Sequence, residues 1–170
     1  MDWESLLRAE LEPAYASAAK LMKLARDLPL DWKPARENNW MTLGQLLKHL
    51  SEACGAPIHG FVSGDWGMPV EAMTPEAMLP PAEKMPAASS VDEALADLAA
   101  DKQTAIRAIK MSAAKNLFDR PTTAPWDPTP RPLGQYMLEM LEHMIIHKAQ
   151  LFYYLKLQGK PVNTMDMYGG

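Results

Sequence analysis

Only one cysteine, Cys54, stands in 170 residues. No intramolecular disulfide and no thiolate-built zinc cluster can form from it. A lone cysteine is commonly a small buried hydrophobe, and Cys54 would need a base beside it to act as a nucleophile. Basic residues are scattered through a chain of net charge −4. A nucleic-acid footprint requires a basic stripe, and none is visible. No apolar run reaches the length of a membrane span. The opening MDWESLLRAELEP lacks the basic-then-apolar layout of a signal peptide, so the expected location is cytoplasmic and reducing. There is no Gly-rich phosphate loop and no GxSxG elbow. For nucleophilic chemistry, the attacking group would have to arrive from outside, as water or as a thiol.

Nearly half of the residues are hydrophobic, enough to bury a full core, and the length fits one domain over residues 1–170. The 15 prolines cluster between helical segments and mark their boundaries. In the first segment, Asp2 to Leu28, apolar residues recur every three or four positions from Trp3 to Leu28, one face of an amphipathic helix. Pro13 either kinks this helix or marks where a second one starts. The second segment opens at Thr42-Leu-Gly-Gln45, a capping box, and continues through LLKHLSEACGAPIHGFV. Residues 64–89 carry five prolines and form a long connection, with a short helical turn expected around Thr74 to Leu79. The third segment opens at Ser90-Val-Asp-Glu93, a second capping box, and ends near Ala114. A second Pro-rich connection, Asp119 to Pro132, holds Trp126.

The longest uninterrupted helix signal runs from Leu133 to Gln158, with Gly159 and Pro161 as its stop. Four helical segments without a convincing strand run predict an all-α four-helix bundle whose two long connections can cross it. The last helix has two apolar faces. Leu138, Leu141, Ile145 and Phe152 lie on one, and that extra stripe suggests a homodimer unless the helix is simply central.

Its other face carries His143 and His147, spaced i and i+4 and so about 6 Å apart along the axis. Such a pair is either two core histidines or half of a metal site. Tyr136, Met140, Gln150 and Tyr154 share this face, which should point into the bundle. On the second helix His49 lies on an apolar face of small neighbours, with Thr42, Leu46, Ala53 and Ala56 within about 60° of it. Three imidazoles from two facing helices can form a site for zinc, nickel, iron or copper, with positions left open for water or substrate. Glu52 lies one turn after His49 and Glu142 directly precedes His143; Glu142 points about 100° away and reads as solvated. Cys54 lies about 140° around from His49, out of reach of the site. His59, near a helix end, reads as surface. Glu52 and Tyr154 are the candidates for orienting an incoming group, and Trp66 and Trp126 for substrate walls.

The pairing of WMTLGQLLKHL (Trp40 to Leu50) with HMIIHKAQLFYYL (His143 to Leu155) resembles the DinB/YfiT family. That family has a Trp/Thr-led helix with one histidine, then a late HxxxH helix. The resemblance implies a four-helix bundle with long crossovers, often dimeric. It also implies that His49, His143 and His147 hold one divalent metal, nickel or zinc. Some relatives resemble thiol-dependent S-transferases or isomerases, so a low-molecular-weight thiol is an expected cofactor. Hydrolysis and non-catalytic binding in a stress response are the alternatives.

Overall fold

The computed structural model describes residues 2–35 and 39–169. Helix α1, Trp3–Lys23, starts where the Asp2 carboxylate accepts the Ser5 N–H at 2.8 Å. Pro13 lies inside it without ending it. The helix does not run on to Leu28; it ends near Lys23 and gives way to turns. Its inner stripe, Leu7, Leu11, Tyr15, Ala18, Leu21 and Met22, is buried.

The second segment is two helices rather than one. Helix α2, Leu43–Glu52, opens with both halves of the Thr42–Gln45 capping box formed. It ends at Ala53, and Cys54 leaves helical geometry with φ −124° and ψ −61°. Helix α3, Gly55–Ser63, then starts afresh. The cause of the break lies on another element. Helix α5, Val91–Ala114, presents Asp101, whose carboxylate accepts the Gly55 and Ala56 N–H groups, each at 2.7 Å, and the Tyr15 hydroxyl at 2.5 Å. Asp101 therefore serves as a cap supplied in trans, and a helical register through Cys54 would hide those two N–H groups. Gly55 permits the approach, because a Cβ there would stand 2.0 Å from the Asp101 carbonyl oxygen.

Between α3 and α5 lies a short α-helix, α4 (Pro75–Met78), inside the span expected to hold a helical turn, flanked by the 3-10 turns Val70–Ala72 and Ala82–Lys84. This connection is tied to α2 by Gln45, whose Nε2 donates to the Ala82 and Met85 carbonyls at 2.8 Å each. The expected box at Ser90 is half formed. Ser90 accepts the Glu93 N–H at 3.0 Å, while the Glu93 carboxylate goes to Ser89.

The Pro-rich connection from Asp119 to Pro132, where the sequence shows no convincing strand run, folds into an antiparallel hairpin, β1 (Pro121–Ala124) and β2 (Asp127–Pro132). Its prolines suit a strand with no further neighbour, since pairing needs few of their missing N–H groups. Trp126 sits in the turn. Helix α6, Leu133–Leu157, follows at once and packs on α1, α2 and α3, while α5 covers the same three helices. The tail, without periodic signal, ends in α7, Thr164–Tyr168, which lies against α1 and α6. The architecture is thus mainly helical, as the segment pattern predicts. No helix among the described residues is long and apolar enough to cross a membrane.

Candidate metal centre

His49 occupies the last turn of α2, and His143 and His147 stand one turn apart in the middle of α6. Where those helices pack, the three Nε2 atoms converge. They lie 3.2 Å (His49 to His143), 2.9 Å (His49 to His147) and 2.7 Å (His143 to His147) apart. All three side chains are half-buried, and these residues form a cluster able to hold a metal ion.

The chemistry of the donor set fits a cation. Gln150, one turn beyond His147, lies with its Oε1 2.7 Å from His147 Nδ1. With Nδ1 as the donor, His147 keeps a lone pair on Nε2, the tautomer a metal ligand requires. Two ring protons at most could then lie among three mutually close nitrogens, whereas one cation satisfies all three lone pairs. Burial also holds the rings neutral. It pushes His49 down to about 3 and His143 to about 4, with the neighbouring imidazoles adding to the effect. Burial lowers His147 as well, and the Gln150 hydrogen bond pulls it partly back.

Glu52 lies on the same helix one turn from His49 and lines the cavity that opens beside the cluster. Its carboxylate is exposed and paired with Lys48 at 2.5 Å; Lys48 also reaches Asp97 at 2.9 Å. Tyr154 stands two turns beyond His147, about 10 Å along the helix. Its hydroxyl donates to the Met41 carbonyl at 2.9 Å, and its ring packs between Trp32 and Trp40. It does not line the cavity. Glu142 is exposed, as its direction predicts, and His59 is half-buried on α3 facing Thr104 and Arg107 rather than fully on the surface. Cys54 is completely buried, its thiol pushed up to about 12 by burial and by the Asp101 charge, so it is no nucleophile here.

The cavity has a volume of about 420 Å³. His49 and His143 reach it from the bundle side, and Trp66 and Trp126 both wall it, as expected. Met78, Leu79 and Met85 from the long connection and Met140 from α6 complete the apolar surface. Of these, Met140 was legible on the histidine face; the others come from a connection whose course periodicity does not give. Gln150 was visible as a neighbour on the face, three residues from His147, but its role follows only from the contact.

A mainly helical protein with three histidines converging from two packed helices is thereby defined. The chain belongs to the DinB superfamily, whose family model matches residues 10–151. Neither a curated protein nor a solved structure matches it.

Proposed function

We propose that this protein is a metal-dependent enzyme in which His49, His143 and His147 hold one divalent transition ion, nickel or zinc, and a low-molecular-weight thiol is transferred to an electrophilic substrate. The observation that carries this reading is the convergence of three neutral imidazole nitrogens at the side of an open cavity. Three neutral ligands leave the full charge of a bound divalent ion to lower the pKa of a thiol or water. A thiol starts near roughly 8.5 and needs less help than water.

The chain's own groups would do the rest. Gln150 fixes the His147 ring. The apolar walls exclude water from the reacting atoms. A Glu52 carboxylate oxygen takes the thiol proton as sulfur bonds to the electrophilic carbon and the leaving group departs with its electron pair. Tyr154, held to Met41, acts at a distance by fixing the approach of the Trp40 to Thr42 segment to α6. A reducing cytoplasm, where small thiols are abundant, suits this reading.

The test compares metal-loaded and metal-stripped protein with a model electrophile and a panel of small thiols. Thiol-dependent turnover only in the loaded form supports transfer. Turnover with water alone, unchanged by thiols, makes the protein a hydrolase; no turnover with either makes it a binding bundle.

A second copy of the chain is the proposed partner. The stripe expected to mediate pairing is mostly covered within the chain, since Leu141 and Phe152 are buried and Leu138 half-buried. Ile145 of that stripe stands exposed, and Ile146, Tyr153 and Leu157 on α6 are exposed beside it.

A further inference from the structure

Resting on the reading of the three histidines as a metal site, we propose that the adjoining cavity takes an uncharged aromatic or alkyl molecule with one donor atom, and disfavours a carboxylate placed away from that atom. The cavity is polar at one side only, where His49, His143 and Glu52 reach it. Its volume of about 420 Å³ suits a small ligand rather than a peptide or a polymer.

The aromatic walls are held in place before any ligand arrives. Trp66 and Trp126 meet edge to face with centroids 5.7 Å apart, so a ligand ring is offered one face and one edge. Trp66 lies directly on Gly60, where a Cβ would come within 2.6 Å of the ring. Phe61 braces both indoles, at 4.9 Å and 5.9 Å. The same cavity is lined by thioethers, Met78, Met85 and Met140, which adapt to the outline of what enters. Rigid rings together with soft methionines select apolar bulk and tolerate variation in shape.

Charge decides what is refused. Among the described residues lining the cavity the one acidic side chain is the Glu52 carboxylate. No lysine or arginine stands among the described lining residues. Lys48 is held by Glu52 and Asp97, and Arg131 by Asp127 at 2.7 Å and Glu139 at 2.6 Å. A carboxylate remote from the ligand's donor atom would leave water for hydrocarbon with no ammonium or guanidinium to receive it. The apolar reactant therefore occupies this cavity, and a carboxylate-bearing thiol would have to keep its charged end outside it.

The experiment uses nickel-loaded and metal-stripped full-length protein and follows binding by tryptophan fluorescence and calorimetry. The probes are benzyl mercaptan and 4-(mercaptomethyl)benzoate, with toluene and 4-methylbenzoate as the thiol-free pair, the latter compared in stripped protein because its carboxylate can itself ligate nickel. We expect each neutral probe to bind at least tenfold tighter than its carboxylate, and toluene to bind both forms alike. Leu79→Arg, at an exposed rim position, should narrow the ratio to less than threefold by supplying the missing cation. Carboxylates that bind as well as their neutral partners, or a wild-type protein that binds no aromatic probe in either form, overturn the proposal. Protein that takes up no nickel yet keeps toluene and refuses 4-methylbenzoate defeats the metal reading and upholds the preference of the cavity.

Discussion

The Nε2 atoms of His49 and His147 stand 2.9 Å apart across two packed helices, although 98 positions separate them in the chain. His143 joins them at 3.2 Å and 2.7 Å. Protein purified without chelator should therefore carry about one nickel or zinc ion per chain, and His49→Ala, His143→Ala and His147→Ala should each lose most of it. Gln150→Ala should keep the ligands but bind roughly 10- to 100-fold more weakly, because the His147 ring loses its orienting partner. Element analysis of the set decides the matter. Unchanged stoichiometry in all three histidine variants would sink the metal reading.

Acid should destabilise the metal-free protein in a definite window. Burial holds the folded-state pKa of His49 down to about 3 and of His143 to about 4, against an ordinary 6.5 for each. Between those values the unfolded chain binds more protons than the folded one, so stability rises with pH across the window. It is fully present above about 6.5 and is lost as pH falls toward 3. His49→Gln, which cannot titrate there, should show a shallower loss than wild type between pH 6 and 4. Urea midpoints measured in chelator check this; parallel profiles for the two proteins would refute it.

Asp101 is the residue on which the α2–α3 break depends. Burial raises its pKa, opposed by the Tyr15 hydroxyl and by the Gly55 and Ala56 N–H groups. Asp101→Ala strands those two N–H groups and the tyrosine hydroxyl, a loss of roughly 3 kcal/mol. Gly55→Ala should cost at least as much, since its Cβ would lie 2.0 Å from a backbone oxygen that cannot rotate away. Both variants should also weaken metal binding, because the break sets where the last turn of α2, and His49 with it, meets α6. Chemical denaturation and nickel titration, read together, test the link. Full stability in Asp101→Ala would show that the break has another cause.

The sequence made the long helices legible because an apolar stripe with a period near 3.6 survives wherever one face is buried. It made the histidines legible for the same reason: His49 shares its face with Leu46 and Ala53, and the i, i+4 pair marks one face of α6. The α2–α3 break was not legible, because its cause is a carboxylate 46 residues away from Gly55. Helix propensity around Ala53 and Cys54 says nothing of that contact. The hairpin was hidden by its prolines, which argue against strands in general but not against a two-stranded ribbon. Cavity walls from Met78 to Met85 follow from the tether of Gln45 to Ala82 and Met85, a second use of a capping residue that local pattern does not reveal.

Pairing of two copies should depend on the exposed strip of α6. Ile146 is 51% exposed, Tyr153 60% and Leu157 64%, and these positions fall on one side of the helix at intervals of seven and four. A stable pair buries about 800 Å² on each partner, which a strip of this length can anchor at its centre. Ile146→Glu with Tyr153→Glu should give a monomer with an unchanged far-ultraviolet spectrum and unchanged metal content, since neither residue faces the histidines. Sedimentation velocity over a concentration series provides the measurement. A wild-type protein that stays monomeric throughout counts decisively against the pairing.

Glu52 lets the proposed transfer be separated from mere binding. It lines the cavity one turn from His49, yet it is exposed and its contact to Lys48 is a surface ion pair, of small consequence for stability. Glu52→Gln keeps the shape and removes the proton acceptor. Metal content should hold, stability should change by less than about 1 kcal/mol, and kcat for thiol transfer should fall roughly 10²- to 10⁴-fold, as the loss of a general base predicts. The split between kcat and KM gives the sharper reading: kcat should fall while KM for the electrophile stays within about threefold. Lys48→Met serves as the control: it releases Glu52 from its ion pair without removing the base, so activity should persist. A Glu52→Gln protein with undiminished kcat would assign the proton to solvent and leave Glu52 as a rim charge.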